Sequence, residues 1–404
     1  MSGERSKGVR VSKKEVEGPV DFVGNVFDIT ASPVVGELPL TRNYSGMATG
    51  WEPARRGELP PRVKVLEVRL VSAGQESFEA GLDLTAKVGP DGALRVSIPG
   101  GRHVLYVVSV AEGFKDVLGF APGKRVPRLD HFNENAAKKY LDSISTALRP
   151  SFDGLLGNGL RSAFCDSLEL GGEDWAQDFP REFEKRRGYS VTPFLPFLLD
   201  HFDVKQRLPF AETLRRVNYD FVKTRDELIR ERFIAPFAEW CRRNGLRSRM
   251  QAYGRPWLGM DAKRMIDIPE AECWFFFGTP WTEDGVFNPV ENKITSSAAY
   301  QAGRRIVSCE TTTNYRMYYE SLSDIKQAAD TLLLTGINQM LLTTYIYSPP
   351  DVSFPGWGCG MWGSYYSEFN TWWPYLRHWT DYTARLCWLF QKAEITHGSM
   401  VTYP

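Results

Sequence analysis

The sequence lacks the features that define several large protein classes. No apolar run approaches the roughly eighteen residues of a transmembrane helix. The N-terminus, MSGERSKGVRVSKKEVEG, has cations but not the apolar stretch of a secretory signal. Lys plus Arg and Asp plus Glu both number 49, so no basic field favours nucleic-acid binding. These absences predict a soluble protein, cytoplasmic as given and of otherwise open localisation, with neither membrane nor nucleic acid as a partner.

Motifs of several enzyme classes are also missing. The six cysteines are scattered, form no CxxC pair and have no close histidine, which argues against a zinc site. The five histidines have no GxSxG or cysteine-nucleophile context, and there is no Walker loop. Aromatic residues are abundant instead, with 12 Trp, 17 Tyr and 24 Phe. Aromatic planes suit the C–H faces of sugar rings, although large barrels also use them as core filler.

Sequence patterning divides the chain into three regions. Residues 1–60 contain Pro, Gly and short apolar runs without helical periodicity, which predicts an extended N-terminal segment. Residues 61–125 alternate apolar and polar residues around a Gly-Pro-Asp-Gly turn, which predicts a small antiparallel β-rich insertion subdomain. Residues 126–404 alternate helices with short apolar strands, a pattern typical of parallel βα units and of a barrel-type catalytic portion.

The third region contains about six barrel-like strands rather than eight. The predicted fold is therefore α/β, with a (β/α)8-type barrel that is incomplete or divergent and the antiparallel insertion near the N-terminus. An open parallel sheet leaves unpaired edges. We therefore expect the chain to be a fragment with missing domains, to complete itself by self-association, or to have diverged.

Individual residues are predicted to begin or bend the helices. Asn133 is expected to cap the helix that follows it, and Ser321 with Asp324 forms a capping-box pattern. Residues 211–243 place their apolar side chains mostly on one stripe, which predicts a long amphipathic helix. Pro236 is expected to kink that helix because it removes a backbone donor.

Carboxylates follow three of the predicted strands. They are Asp166 and Glu169 after AFC, Glu270 and Glu272 after MIDI, and Glu310 after IVSC. In barrels of βα units, reactive groups collect past the carboxyl ends of the strands. One such residue is usually a helix cap or a solvated charge, but three are harder to dismiss, because a desolvated carboxylate costs free energy. Paired carboxylates are what glycoside hydrolysis requires, one as proton donor and one to activate water or attack the sugar.

Longer segments are more distinctive. They are FCDSLELGGEDWAQDFPREFEKRRGYSVTPFLP, QAYG, DIPEAE, KITSSAAYQAGRRIVSCET, GINQMLLTTYIYSPP and the TWW that begins at Thr371. In this order they resemble glycoside hydrolase family 106, whose characterised members are α-L-rhamnosidases. The stretch LTAKVGPDGALRVSIPGGRHVLYV also resembles a β-rich insertion of those enzymes, so the resemblance covers nearly the whole chain.

The resemblance implies an inverting glycosidase that hydrolyses terminal α-L-rhamnosides. Glu169 would match the general acid and Glu310 the general base. Their carboxyls would then stand about 6.5–9.5 Å apart, which leaves room for a water molecule. Glu270 and Glu272 would lie near a calcium-assisted sugar subsite, in which Ca2+ holds vicinal hydroxyls while carboxylates complete its shell.

Further residues are predicted to contact the substrate: Asp166, Gln251, Tyr253, Trp357 and Trp372. Ordinary strand-end hydrogen bonding explains Asp166 and Gln251 at least equally well. The GWGCGMWG stretch that contains Trp357 is either an aromatic substrate loop or a surface turn. The sequence departs from the resemblance at Thr343, where the family usually has a histidine.

Three functions stay open at this point. The first is an α-L-rhamnosidase-like hydrolase acting on a rhamnose-containing glycoside or oligosaccharide. The second keeps the fold and the carboxylates but changes the sugar to another deoxyhexose or a uronic acid. The third is a truncated, non-catalytic barrel that binds glycans.

Overall fold

The structure is a computed structural model of the 404-residue chain. It describes residues 5–30, 63–72, 81–112, 128–170, 175–199, 210–255, 258–276, 285–287, 289–313, 318–343, 345, 347–357 and 366–393. The chain divides into two compact units. The first unit comprises Met1–Ile144, Glu169–Pro236 and Arg255–Trp257, and the second comprises Ser145–Leu168, Phe237–Gly254 and Leu258–Pro404.

The described secondary structure mixes short strands and helices. The strands are β1 (Lys7–Asn25), β2 (Val63–Ser72), β3 (Leu82–Asp83), β4 (Ala93–Glu112), β5 (Ser162–Cys165), β6 (Leu168–Glu169), β7 (Arg247–Met250), β8 (Gly254–Arg255), β9 (Ile268–Phe276), β10 (Gly285–Phe287), β11 (Ser308–Thr313) and β12 (Gln339–Leu342). The helices are α1 (Val26–Thr30), α2 (Glu134–Leu148), α3 (Phe179–Arg187), α4 (Leu195–Leu199), α5 (Phe210–Ile229), α6 (Ala235–Arg243), α7 (Met260–Arg264), α8 (Pro289–Gln301), α9 (Leu322–Leu334) and α10 (Leu376–Lys392). Short 3-10 turns lie at Thr85–Lys87, Arg149–Phe152, Leu156–Asn158, Thr192–Phe194 and Trp373–Tyr375.

The first unit contains an antiparallel sheet with the strand order β1-β4-β2-β3. β1 pairs with β4 along nearly its whole length, with a shift of register near Gly18. The sequence prediction separates residues 1–60 from residues 61–125, whereas β1 and β4 lie in one sheet. The physical reason is that β1 also has a half-buried pattern, and its Val16 and Phe22 pack against the same apolar cluster as the other strands.

That cluster fills one face of the antiparallel sheet. Val68 and Leu70 of β2 pack there with residues of β4 such as Leu105, all less than 9% exposed. The residues that alternate with them on β2 are charged: Glu67 is 1% exposed and forms a 2.6 Å ion pair between its Oε1 and Nε of Arg69. Burial raises the pKa of Glu67 to about 7, against the opposing effect of Arg69.

The second unit contains a parallel sheet with the strand order β12-β11-β9-β7-β5, and β10 adds to β9 in antiparallel pairing. The sheet curls as a half-barrel. Parallel neighbours follow one another in the chain through helix-containing connections, as βα units require. This is the predicted α/β class in a form consistent with an incomplete barrel. The described residues supply five parallel strands rather than the six counted from sequence; self-association and missing domains stay predictions.

The two faces of the parallel sheet differ because side chains alternate along a strand. On one face Ala271, Cys273 and Cys309 pack against Ala299 of α8 and Leu332 of α9, all fully buried. The residues that alternate with these on β9 and β11 are polar and acidic.

The carboxylates predicted to follow two of the strands instead lie inside them. MIDI is predicted as a strand, but helix α7 ends at Arg264 and β9 begins only at Ile268. Glu270 and Glu272 therefore lie within β9, and Glu310 lies within β11. The reason is that Glu270 and Glu272 alternate with Ala271 and Cys273, while Cys309 separates Ser308 from Glu310, so each segment has the period of a strand with one apolar and one polar face.

The predicted N-terminal caps of two helices are confirmed. The Asn133 Oδ1 accepts hydrogen bonds from the first turn of α2, and Ser321 with Asp324 forms a capping box on α9. The long predicted helix consists of α5 and α6, joined by a π-helical turn at Arg230–Ile234. Pro236 is the second residue after that turn and lacks the usual backbone donor. Among the described helices, none combines the length and apolarity that crossing a bilayer demands.

Candidate active site

Acidic and polar side chains from neighbouring strands share the polar face of the parallel sheet. β9 and β11 run in register, so that Glu270 lies beside Ser308 and Glu272 beside Glu310. Side chains in register on adjacent strands point to the same side about 4.8 Å apart. Buried parallel strands are normally almost continuously apolar. Carboxyl groups at successive inward positions of two such strands therefore mark this face as a site.

Gln251 links the two strands from β7, which it directly follows. Its side chain is 1% exposed, and its Nε2 donates to Glu310 Oε2 at 2.7 Å and to Glu270 Oε1 at 3.3 Å. The Tyr253 hydroxyl lies 2.5 Å from Gln251 Oε1 and 3.2 Å from Glu272 Oε2, as donor to both. The structure thus brings together five of the residues singled out from sequence.

Glu270 is the most enclosed carboxyl of this group, at 1% exposure. Its Oε2 accepts a hydrogen bond from Ser308 Oγ at 2.7 Å and lies 2.8 Å from Arg249 Nε as an ion pair. The Arg249 guanidinium in turn lies over the ring of Phe164, 4.1 Å from its centroid. Burial raises the pKa of Glu270, while Ser308, Arg249 and Gln251 oppose that rise.

Glu272 is partly exposed, and its pKa is raised to about 7. Burial is the largest cause, and the negative charge of Glu310 adds to it. Hydrogen bonds from Trp274 and Tyr253 act in the opposite direction. The pKa of Tyr253 is raised well above its ordinary value, mainly by burial and then by the charges of Glu272 and Glu310. A carboxyl and a phenol at this face thus favour their neutral forms.

Glu310 differs from Glu270 because it is only partly buried. Its two oxygens have separate donors: Gln251 Nε2 on Oε2, and the Thr313 hydroxyl on Oε1 at 3.1 Å. Two donors fix the plane of the carboxylate, and its remaining lone pairs stay available to a ligand or water. This is the geometry expected of a general base.

Lys263 of α7 approaches the same segment from another side. It is 1% exposed, and its Nζ donates to the Ala252 carbonyl at 3.1 Å and to Glu291 Oε1 at 2.5 Å. The same nitrogen lies 5.2 Å from the ring centroid of Tyr253. Burial lowers the pKa of Lys263, and its pairing with Glu291 opposes that change.

Sequence reasoning missed Arg249 and Lys263. Arg249 carried a usable signal, because Arg249, Gln251 and Tyr253 alternate with Met250 and Ala252 in the segment RMQAY. Polar residues at every second position of a central strand indicate a polar inner face. Lys263 carried none, since a lysine in a short helix is usually solvated.

The residues predicted to hold Ca2+ do not fit that ion. Both oxygens of Glu270 already accept hydrogen bonds, and Arg249 provides the positive charge that a cation would supply. Glu272 accepts from a phenol, whereas a calcium ligand offers free oxygens. No group of three or more His, Cys, Asp or Glu in the described part of the chain could hold a metal ion. Calcium assistance stays a prediction, and no chemical step is derived from it.

The first predicted acid lies in a different part of the chain. Asp166 directly follows β5, as predicted, and is exposed, with its Oδ1 accepting from the Ser167 backbone N–H at 2.8 Å. Glu169 ends β6, and its side chain lies outside the described residues. It belongs to the first unit, whereas Glu310 belongs to the second. The pairing of Glu169 with Glu310 as acid and base therefore stays a prediction.

The two predicted tryptophans have different surroundings. Trp357 is 57% exposed, and its backbone N–H donates to Ser348 Oγ at 2.9 Å. The rest of the GWGCGMWG stretch lies outside the described residues. Trp372 is partly buried: its indole N–H donates to the Glu320 carbonyl at 2.8 Å, and its ring meets Tyr366 edge-on at 5.9 Å. Trp357 is thus largely exposed and Trp372 partly buried; a sugar contact stays a prediction for both.

Comparison with known proteins connects this geometry to a family. The sequence model of glycoside hydrolase family 106, described as alpha-L-rhamnosidase, matches residues 71–402. A Formosa agariphila protein named "Putative beta-glucuronidase" is 26% identical over 343 residues, which are 84% of this chain and 28% of that protein. A solved rhamnosidase structure from a Novosphingobium species has a TM-score of 0.59 and 24% identity, over 78% of this chain and 30% of that one.

The two relatives differ from this chain in length. It spans less than a third of either of them, and the likeness to the solved structure is one of fold. The family match is broader, since residues 71–402 include most of the chain and every site residue discussed above. The resemblance noted in the sequence is thereby confirmed, and the chain belongs to glycoside hydrolase family 106, the alpha-L-rhamnosidase family.

Proposed function

We propose that this protein is a glycoside hydrolase that removes terminal α-L-rhamnosyl groups with inversion at the anomeric carbon. The observation that carries the proposal is the setting of Glu310, whose two oxygens are held by Gln251 and Thr313 while the side chain remains partly exposed. Membership in a rhamnosidase family supports the choice of sugar. The substrate partner is then a rhamnose-containing glycoside or oligosaccharide.

In the proposed reaction Glu310 is the general base and Glu169 the general acid. Glu310 accepts a proton from water as the water oxygen bonds to the anomeric carbon. The glycosidic C–O bond breaks with its electron pair going to the leaving oxygen, which takes a proton from Glu169. Exchange with solvent then returns both carboxyls to their starting states. Gln251 and Thr313 contribute by holding the base in one orientation.

A second candidate changes the sugar to a uronic acid or another deoxyhexose. It is supported by the name of the Formosa agariphila relative, which mentions a glucuronidase. A uronate carboxyl is normally bound by a cation. Among the described residues, the cations at the polar face already have carboxylate partners, Arg249 with Glu270 and Lys263 with Glu291. The site therefore favours a neutral sugar, and a non-catalytic glycan-binding barrel remains the third alternative.

Sugar release from a panel of substrates tests the proposal. The purified chain is incubated with aryl α-L-rhamnoside, α-L-fucoside and β-D-glucuronide and with pectin-derived oligosaccharides, and the monosaccharides are identified by chromatography. We expect rhamnose, and we expect Glu169→Gln to lower its release because the leaving oxygen loses its proton donor. Another monosaccharide alone would favour the second candidate. No release by a folded sample that still binds glycans would favour the third.

Chelation tests the calcium prediction in the same assay. Turnover is measured after treatment with EDTA and again after calcium is added back. A loss that calcium restores would point to ligands other than Glu270, whose charge is already paired with Arg249.

A further inference from the structure

We propose that the segment Gln251–Tyr253 is a positioning bracket for the Glu310 carboxylate, anchored on two sides by ion pairs that each have one buried member. In this arrangement Glu270 is an internal counter-ion of the bracket and not a calcium ligand. The catalytic consequence of the bracket rests on the function proposed above, whereas its existence does not. We use "bracket" for the three residues Gln251, Ala252 and Tyr253.

The working end of the bracket is the amide of Gln251. One amide nitrogen donates to both Glu310 Oε2 and Glu270 Oε1, at 2.7 and 3.3 Å. The Tyr253 hydroxyl donates to the amide oxygen at 2.5 Å. That donor fixes the orientation of the amide, because a flipped amide would turn its oxygen toward two carboxyl groups. Gln251 therefore has one favourable orientation, and that orientation holds Glu310.

The first anchor is the ion pair of the buried Glu270 with the partly buried Arg249. Glu270 holds the Gln251 amide through Oε1, while Ser308 and Arg249 hold Glu270 through Oε2 at 2.7 and 2.8 Å. Phe164 covers the guanidinium, which restricts its movement. Both oxygens of Glu270 are thus engaged by side chains of the protein, Oε1 by Gln251 and Oε2 by Ser308 and Arg249. Removing one member of a buried ion pair leaves the other uncompensated, so this anchor is rigid.

The second anchor is the ion pair of the buried Lys263 with the partly buried Glu291. Lys263 Nζ is hydrogen-bonded to the backbone of the bracket at Ala252 and to Glu291 Oε1. It also lies over the ring of Tyr253, where a cation is attracted by the face of an aromatic ring. The second anchor therefore fixes the backbone and the tyrosine ring, while the first fixes the glutamine side chain. A residue that served only to bind sugar would need neither.

The bracket makes a kinetic prediction for Tyr253→Phe. This change removes only the hydroxyl that orients Gln251 and leaves the ring under Lys263. Misplacing a catalytic group by about 1 Å costs about 100-fold in rate. We expect kcat of rhamnoside hydrolysis to fall about 10- to 100-fold with KM within about twofold, because Tyr253 acts through Gln251 on the base. Lys263→Met should produce the same split between kcat and KM.

A double-mutant cycle tests the bracket without using activity. The urea unfolding midpoints of Gln251→Ala, Glu310→Ala and the double variant are compared with wild type. Because the two side chains share a hydrogen bond, we expect the double variant to shift less than the sum of the single shifts. Gln251→Ala combined with Ser321→Ala is the control: Ser321 caps α9 and shares no partner with Gln251, so the shifts should add.

Each result decides a different statement. Additive shifts for Gln251 and Glu310 would overturn the bracket, whatever the activity. A Tyr253→Phe variant that raises KM with kcat unchanged would also overturn it and make Tyr253 a sugar contact. A wild type that hydrolyses none of the panel would overturn the proposed function instead, and the cycle alone would then decide whether the bracket exists.

Discussion

The antiparallel sheet and the parallel sheet each contain a glutamate whose pKa is raised to a similar value, but the residues around the two carboxyl groups differ. In the antiparallel sheet Glu67 forms an ion pair with Arg69, two residues along the same strand, and Asp83 is a further charge that acts on it. In the parallel sheet Glu272 lies among Tyr253, Trp274 and Glu310, which come from different parts of the chain. The pKa of both Glu67 and Glu272 is raised to about 7, and burial is the largest cause in each.

The comparison shows that a raised pKa alone does not identify an active site. Burial is sufficient to produce it in Glu67, whose Oε2 has no hydrogen-bond partner within the described residues. The parallel sheet differs because hydrogen-bond donors from several segments of the chain contact three neighbouring carboxyl groups, those of Glu270, Glu272 and Glu310. Like charges held in one place cost free energy, and a protein retains such an arrangement where it has a use.

The largest expected effect compares Glu310→Gln with Glu67→Gln. Glu310→Gln removes the base and should lower kcat by about 10²- to 10⁴-fold, the range typical of general acid–base catalysis. Glu67→Gln changes a more deeply buried carboxyl of the other sheet and should leave kcat unchanged. The measurement is steady-state turnover of the rhamnoside. Equal losses in the two variants would remove the distinction between the sheets.

A smaller effect concerns the dependence of stability on pH, in which the two sheets should behave alike. A carboxyl with a folded pKa above its ordinary 4.5 contributes stability that is complete below about pH 4.5. That contribution is lost as the pH rises through about 7, because the folded state must then give up a proton that it holds tightly. Glu272→Gln and Glu67→Gln should each abolish up to about 3 kcal/mol of this loss.

Urea unfolding at several pH values between 4.5 and 7.5 measures this effect. For each variant the change in unfolding free energy across that range is compared with wild type. A variant that keeps the full wild-type change would show that its carboxyl ionises in the folded protein as readily as in the unfolded one.

Much of the fold follows from local signals in the sequence. The caps at Asn133 and Ser321 depend on one side chain and the first helical turn, so a short window contains all of the necessary information. The βα alternation likewise predicts parallel strands. The pairing of β1 with β4 could not be predicted in this way, because it joins segments more than seventy residues apart.

The site was predictable in its residue types but less so in its geometry. The sequence predicts Glu270, Glu272 and Glu310 as reactive carboxyls that follow strands. In the structure Glu270 and Glu272 lie within β9, which begins at Ile268 and ends at Phe276, and Glu310 lies within β11. Their different partners depend on register: Ser308 lies beside Glu270, whereas Glu310 lies beside Glu272. Register is a property of the assembled sheet, and no single segment encodes it.

The most direct test of the account is the anomeric configuration of the first product. Proton NMR follows the hydrolysis of an α-L-rhamnoside and records the anomeric signal of rhamnose before mutarotation. The account predicts that β-L-rhamnose appears first, because water activated by Glu310 attacks the face opposite the leaving group. If α-L-rhamnose appears first, a side chain attacks the sugar and Glu310 is not the base of an inverting enzyme.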